Sequence, residues 1–311
     1  MSRRGRLPQL AGGTFITDGG METTLIFHHG LDLPHFAAFV LLDDGDGIEA
    51  LRRYYAPYIE IAREHGVGIV LDTPTWRANS DWGTQLGYSA EALADANRRG
   101  VELLAELRAE VGEPPPFVIS GCVGPRGDGY RVDDEMSAEE AEGYHRPQIS
   151  TFADANADLV TGLTMTYAGE AVGIVRAARS VGMPAVISFT VETDGRLPSG
   201  QSLAGAIAEV DAQTDGAPPY FMINCAHPTH FAAVLDRSGS LVDRVRGLRA
   251  NASTKSHAEL DESDELDAGD PLDLALRYRA LREPLPNLNV VGGCCGTDER
   301  HVTEICRAFV A

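Results

Sequence analysis

The sequence predicts an α/β fold, a (β/α)8 TIM barrel, with residues 1–311 forming a single domain. Three observations carry this expectation. Short apolar runs alternate with longer amphipathic stretches about eight times in 311 residues, the rhythm of repeated strand–helix units. Seven of the eight runs are almost continuously apolar or small, as strands covered on both faces require. The first run ends in Asp18-Gly19-Gly20-Met21. This lacks the G-x-G-x-x-G turn that usually follows the first strand of the rival doubly wound sheet.

The strands are expected at 14–17, 67–72, 117–121, 159–165, 185–190, 220–224, 245–250 and 289–291. Between them, residues 48–65 place Leu51, Tyr54, Tyr55, Tyr58, Ile59 and Ala62 at spacings of three and four, which predicts a helix with one apolar face. Residues 91–111 do the same with Leu93, Ala96, Leu103, Leu104 and Leu107. Ser137, followed three residues later by Glu140, reads as a capping box that opens another helix. Further helices are expected at 171–181 and 203–212. A last one is expected at 298–311, with Val302, Ile305 and Phe309 on one face. The polar stretch 251–271, rich in Ser, Asp and Glu, reads as a long loop at the active-site end or as a plain acidic surface insertion.

Composition narrows the function classes. The chain has 26 basic and 46 acidic side chains, a net charge of −20. That weighs against nucleic acid and anionic membranes as partners, because both demand a basic face. No run approaches the roughly 18 apolar residues needed to span a bilayer. The basic start Met1-Ser-Arg-Arg-Gly-Arg has no apolar segment after it, so no secretory leader is expected. Five cysteines form an odd, sparse set, which points to a reducing, cytoplasmic compartment.

In a barrel of this kind the strand ends and the loops after them build the active-site face. Cys122, Cys225 and the doublet Cys294-Cys295 all fall at predicted strand ends on that face. Adjacent cysteines bridge each other only under strain, but both can ligate one ion. Cys225 lies two strands away around the barrel. Three thiolates suit Zn²⁺ and leave its fourth tetrahedral position open, as a working site needs. Cys122 stands outside this set and reads as structural, and Cys306 as a core residue of the last helix. His227, two residues after Cys225, is a competing pocket candidate, but the three-thiolate set is preferred.

The chain resembles the homocysteine S-methyltransferase family of barrel enzymes, which includes betaine– and S-methylmethionine–homocysteine methyltransferases. The strings that carry the resemblance are Asp18-Gly-Gly-Met21, Gly121-Cys-Val-Gly-Pro125, Ser188-Phe-Thr-Val191 with Asp194-Gly-Arg-Leu197, Asn224-Cys225 and Gly292-Gly-Cys-Cys-Gly296. The resemblance implies a zinc ion held by Cys225, Cys294 and Cys295, with the acceptor thiol bound to it as a thiolate. Asp18 then matches the carboxylate expected to hold the acceptor's amino group, beside Gly19. Thr73 and Thr75 match a segment lining the same pocket, and Asn224 is a candidate donor behind the first ligand. Trp76 and Arg77, on the strand-two loop, are candidates to contact a cationic methyl donor, with a packed loop tryptophan the preferred alternative for Trp76.

One departure stands out. Many members carry Glu at the end of strand four, where this chain has Leu163; Tyr167 and Glu170 are the nearby candidates to replace it. The expected reaction is methyl transfer from a small sulfonium, S-methylmethionine or S-adenosylmethionine, to homocysteine, giving methionine. Another thiol or selenol acceptor and a betaine-type donor are the alternatives. A zinc hydrolase and a non-catalytic zinc- or thiol-binding barrel are those of another class. The expected partners are therefore small molecules, with a homo-oligomer left open.

Overall fold

A computed structural model of the chain describes residues 4–112, 115–132, 134–235, 242–263 and 265–310. Of the segments singled out above, residues 1–3 of the basic start, Asp264 of the polar stretch and Ala311 of the last helix lie outside the described residues.

Eight parallel strands close into a barrel in sequence order: β1 (Phe15–Ile16), β2 (Gly68–Asp72), β3 (Phe117–Val123), β4 (Leu159–Met165), β5 (Ala185–Phe189), β6 (Phe221–Asn224), β7 (Val245–Ala250) and β8 (Val290–Gly293), with β8 pairing back onto β1. All eight expected strands are present. Their ends shift by one or two residues: β1 is shorter, and β3 and β8 each run two residues further.

The helices are α1 (Met21–Thr23), α2 (Gly45–His65), α3 (Ser80–Gln85), α4 (Ala90–Glu110), α5 (Ala138–Asp154), α6 (Ala168–Ser180), α7 (Leu203–Thr214), α8 (Pro228–Phe231), α9 (His257–Asp261), α10 (Pro271–Leu281) and α11 (Glu299–Val310). In α2, Asp44 accepts the Gly47 amide at the start. Gly66 ends it in the left-handed region at φ 64°. Its buried face carries Leu51, Tyr54, Tyr55, Tyr58 and Ala62 as expected, but Ile61 is buried while Ile59 is only half-buried. The capping box of Ser137 and Glu140 is formed in both directions. The sequence pattern did not announce α10, where Leu272 and Leu276 are exposed beside the buried Leu274, Ala275, Tyr278 and Leu281, so that the apolar residues do not fall on one face. The expected loop 251–271 is interrupted by α9, which has its own capping box from Ser256 and Glu259.

The barrel interior is layered. At the bottom, Phe15, Val70, Val118, Leu159, Val186, Met222 and Val290 pack with Leu7 and Tyr220. The turn Pro8–Ala11 adjoins this end, with Gln9 Nε2 3.3 Å from the Tyr220 hydroxyl. Strand side chains alternate inward and outward, so the residue two positions on faces the interior again. That next layer is polar and buried: Asp72, Ser120, Thr161, Ser188, Asn224 and Arg249. A dry floor therefore supports a polar belt, and the active-site face lies above it.

Helices α5 and α6 approach closely at Gly173, where an added Cβ would lie 2.4 Å from Ala141 Cβ and 2.6 Å from the Glu142 amide. Gly173→Val is expected to cost about 1–3 kcal/mol through overpacking. Gly143→Ala on exposed α5 surface is expected to be neutral or to gain about 0.5–1 kcal/mol. Thermal unfolding of the pair checks both; equal melting temperatures would contradict the tight contact.

Candidate active site

Three sulfurs meet at the mouth of the barrel. Cys225 Sγ lies 2.7 Å from Cys294 Sγ and 3.6 Å from Cys295 Sγ, and all three are within 4.8 Å of one another. Three thiolates so close repel unless a cation neutralises them. With Zn–S bonds of about 2.3 Å, tetrahedral geometry places sulfurs roughly 3.8 Å apart, which this cluster can meet with small adjustments. The donor set therefore fits a soft, tetrahedral metal. Cys294 is the thiol whose pKa is lowered, chiefly because Cys225 and Cys295 donate hydrogen bonds to it, with the Arg249 charge assisting. Cys122 lines the same cavity but stands apart from the trio, and Cys306 is buried on α11.

Backbone geometry aims the sulfurs. Cys225 follows β6 in the left-handed region, at φ 54°. Its carbonyl accepts from His257 Nε2 at 2.5 Å and Asn251 Nδ2 at 3.0 Å. A non-glycine residue pays about 1–3 kcal/mol for such a conformation, so these bonds hold it in place. The Cys294 amide donates to Ala250 O, and Thr297 donates through Oγ1 to Cys294 O at 2.7 Å. Gly20 lets the β1 turn lie against this loop: a Cβ there would sit 2.5 Å from Cys294 O. Tyr130 caps the cluster, its hydroxyl 3.5 Å from both Cys225 Sγ and Cys295 Sγ. Its ring stacks on His257 at 4.1 Å. Burial opposes charge on His257, but Glu192, 3.1 Å from Nδ1, and the Cys225 carbonyl outweigh it and raise its pKa.

Beneath the sulfurs lies a buried charge triad. Arg249 donates to Asp72 Oδ2 at 2.5 Å, to Asp18 Oδ1 at 2.6 Å and through Nε to Gly293 O at 3.0 Å. Asp18 Oδ2 accepts from the Tyr54 hydroxyl at 3.0 Å. Burial raises Asp18 to about 6 despite the arginine beside it, which lowers it.

The cavity over the cluster has a volume of about 310 Å³. Of the predicted contacts, Asp18, Gly19 and Thr73 line it with the three cysteines, and so do Trp76 and Arg77. Thr75 and Asn224 do not. Thr75 donates to Cys122 O at 2.9 Å and shares a 2.6 Å bond with Thr73, whose Oγ1 also receives the Cys122 amide. Asn224 sits behind the cluster: its Oδ1 accepts from Ser188 Oγ and Thr164 N, and its Nδ2 donates to Thr164 Oγ1 and points at Cys294 Sγ from 3.9 Å. These bonds support a bulge in β4 where Thr164 is left-handed, at φ 64°. The bulge presents Leu163 to the cavity.

Neither candidate replacement for the missing strand-four carboxylate reaches the cavity lining. Glu170 is buried and accepts from the Arg126 amide at 2.7 Å and from His145 Nε2 at 2.9 Å. The Tyr167 hydroxyl accepts the Met136 amide. His227 also lies outside the lining, where it accepts the Thr229 amide at the start of α8. Sequence reasoning missed Glu22, Tyr130, Arg249 and His257. An arginine inside a buried strand, opposite an aspartate at the end of another, was the one readable signal among them. The polar stretch after β7 does belong to the active-site face: Ser253, Leu260, Asp261 and Asp267 line the cavity.

A parallel barrel with three clustered cysteines at its C-terminal mouth, opening on a cavity, has the layout of a barrel enzyme's active site. Residues 15–309 match the profile of the homocysteine S-methyltransferase family. The chain belongs to that family and is a methyltransferase. Homocysteine S-methyltransferase 4 of Zea mays is 24% identical over 321 residues, covering 96% of this chain and 90% of that protein. The selenocysteine Se-methyltransferase of Brassica oleracea var. italica is 22% identical, again over 96% of this chain and 90% of that protein. The metallated form of the homocysteine methyltransferase MmuM from Escherichia coli superposes with a TM-score of 0.73 at 21% identity, covering 95% of this chain and 96% of that one. No helix among the described residues is long and apolar enough to cross a membrane.

Two predictions follow from this geometry. Arg249→Met leaves Asp18 and Asp72 buried without their cation and is expected to cost about 3–5 kcal/mol. Urea unfolding should show partial recovery in the Arg249→Met/Asp72→Asn double variant, and no recovery would mean that the carboxylates do not depend on Arg249. Burial lowers His227 to about 4. The unfolded chain therefore binds the extra proton first, and stability declines as pH falls from about 6.5 towards 4. His227→Gln should reduce that slope in urea titrations at pH 7 and 4.5; an unchanged slope would refute the assignment.

Proposed function

We propose that this protein is a zinc-dependent thiol S-methyltransferase that moves a methyl group from a small sulfonium donor, S-methylmethionine or S-adenosylmethionine, to homocysteine. The observation that carries this reading is the cluster of Cys225, Cys294 and Cys295 in the wall of the cavity at the barrel mouth. Zinc held by these three residues supplies a Lewis acid that keeps the acceptor thiol ionised near pH 7, where a free thiol with a pKa near about 8.5 is mostly protonated.

The chain's own residues do the remainder by placement. Arg249 and Tyr54 fix Asp18 in the wall beside Gly19. Asn224 steadies the region behind Cys294, and Tyr130 covers Cys225 and Cys295. The mostly apolar lining of the cavity disfavours water, which would solvate the thiolate and compete for the methyl group. The carboxylates of Asp128 and Asp261 in the cavity lining favour a cationic donor. Leu163 and the similarity to a selenocysteine Se-methyltransferase together support a second acceptor class, another thiol or selenol.

Cys294→Ser is the direct test. Zinc content is expected to fall from about one ion per chain to near none, and methyl transfer to be lost, with the far-UV spectrum and melting curve largely kept. Retained methyl transfer without metal would overturn the mechanism. A panel of sulfonium and betaine donors against homocysteine and selenohomocysteine identifies the pair used.

A further inference from the structure

The carboxylate assigned by resemblance to the acceptor's amino group is already engaged. Both oxygens of Asp18 accept a hydrogen bond from inside the protein, from Arg249 and from Tyr54. The strand-four carboxylate is absent, with Leu163 in its place, and Glu170 and Tyr167 are bound to other partners. The charged side chains that line the cavity without an ion pair among the described residues include Glu22, Arg77, Asp261 and Glu265; Asp261 and Glu265 lie on the segment after β7, whereas Glu22 and Arg77 follow β1 and β2. Glu22 stands in the turn after Gly20, and Arg77 is only 7% exposed. Burial raises the Glu22 carboxyl to about 7, against a hydrogen bond from its own amide.

The state of Arg77 is unusual for a buried guanidinium. Its Cζ lies 4.0 Å from the ring centroids of both Trp76 and Trp82. The two indoles cover its faces, fix its plane and leave only the edge for hydrogen bonding. Nη1 donates to Gly127 O at 2.8 Å, while Nε is buried with no hydrogen-bond partner. Burial lowers its pKa to about 10, and the carboxylates whose charge reaches it are Asp128 and Glu22. Asp128 is itself held by the Tyr130 and Arg131 amides. An arginine with its faces stacked and its Nε–H unfilled is suited to a planar carboxylate.

We propose that Glu22 and Arg77 form a zwitterion clamp that grips the α-amino acid end of the acceptor, Glu22 taking the ammonium and Arg77 the carboxylate. The inference rests on the methyl-transfer reading for the position of the acceptor's sulfur beside the cysteines, and it narrows the acceptor to free α-amino acids bearing a thiol or selenol. In this chain Asp18 is a positioning residue, and the recognition of the amino acid has moved to the first turn after β1 and the loop after β2.

The test uses the full metal-loaded chain and three thiols: homocysteine, its des-amino analogue 4-mercaptobutanoate, and its des-carboxy analogue 3-aminopropane-1-thiol. Binding is read by isothermal titration, independently of turnover. The wild-type protein is expected to bind homocysteine at least roughly tenfold more tightly than either analogue, the worth of one charge-assisted contact. Glu22→Gln should erase the preference over the des-amino analogue alone, and Arg77→Gln the preference over the des-carboxy analogue alone. Glu22→Asp and Arg77→Lys should restore part of each. In steady state the acceptor KM rises while the donor KM stays constant.

Equal wild-type binding of all three thiols, or variants that weaken all three alike, would overturn the clamp. So would a Glu22→Gln variant that changes only the donor KM. Selective binding without methyl transfer from any donor would uphold the clamp and instead defeat the methyl-transfer reading.

Discussion

One guanidinium holds the active-site face together. Arg249 is an interior residue of β7, and its side chain crosses the barrel to reach Asp18 beyond β1 and Asp72 at the end of β2. Its Nε holds the carbonyl of Gly293, the residue before Cys294, and its own carbonyl accepts the amide of Cys225. All three sulfurs therefore hang from elements that a single residue joins. Burying three charges costs desolvation that their attraction repays only when the geometry is good. Here two carboxylates share one cation, which leaves the triad one negative charge in excess directly below the cysteines.

The strained backbone belongs to the same design. Cys225 and Thr164 are non-glycine residues in the left-handed region, one at the end of β6 and the other in the β4 bulge. Each is held by side-chain hydrogen bonds to its backbone groups: His257 and Asn251 at the Cys225 carbonyl, Asn224 at the Thr164 amide. Asn224 links these features, because it also reaches towards Cys294. The polar belt above the apolar floor thus acts as a rigid mount, and the cavity shape is fixed before anything enters.

Much of this was legible in the amino-acid order. Short apolar runs marked the eight strands, seven of them apolar or small throughout, and Gly292-Gly-Cys-Cys-Gly296 with Asn224-Cys225 marked the sulfur cluster. What the order could not show was which polar groups were already engaged. Thr75 and Glu170 each read as a pocket residue until their backbone partners appear. Arg77 read as a donor contact, although its plane is fixed by Trp82, which lies on a helix that no pattern announced. Glu22 carried no signal, since a glutamate in a first turn is ordinary helix chemistry. Tyr130 comes from the loop after β3 and His257 from the start of α9, and they meet only through tertiary packing.

The acidic wall of the cavity also bears on the end of the catalytic cycle. With a sulfonium donor, a cation and a thiolate enter and two uncharged thioethers leave, so the transfer extinguishes a charge pair inside the protein. A wall that includes Asp128 and Asp261, in a chain of net charge −20, would attract such a cationic methyl carrier but would have no such hold on its demethylated remnant. The same carboxylates that would draw that reactant in would thus let the spent donor go, the chemistry itself switching off their grip.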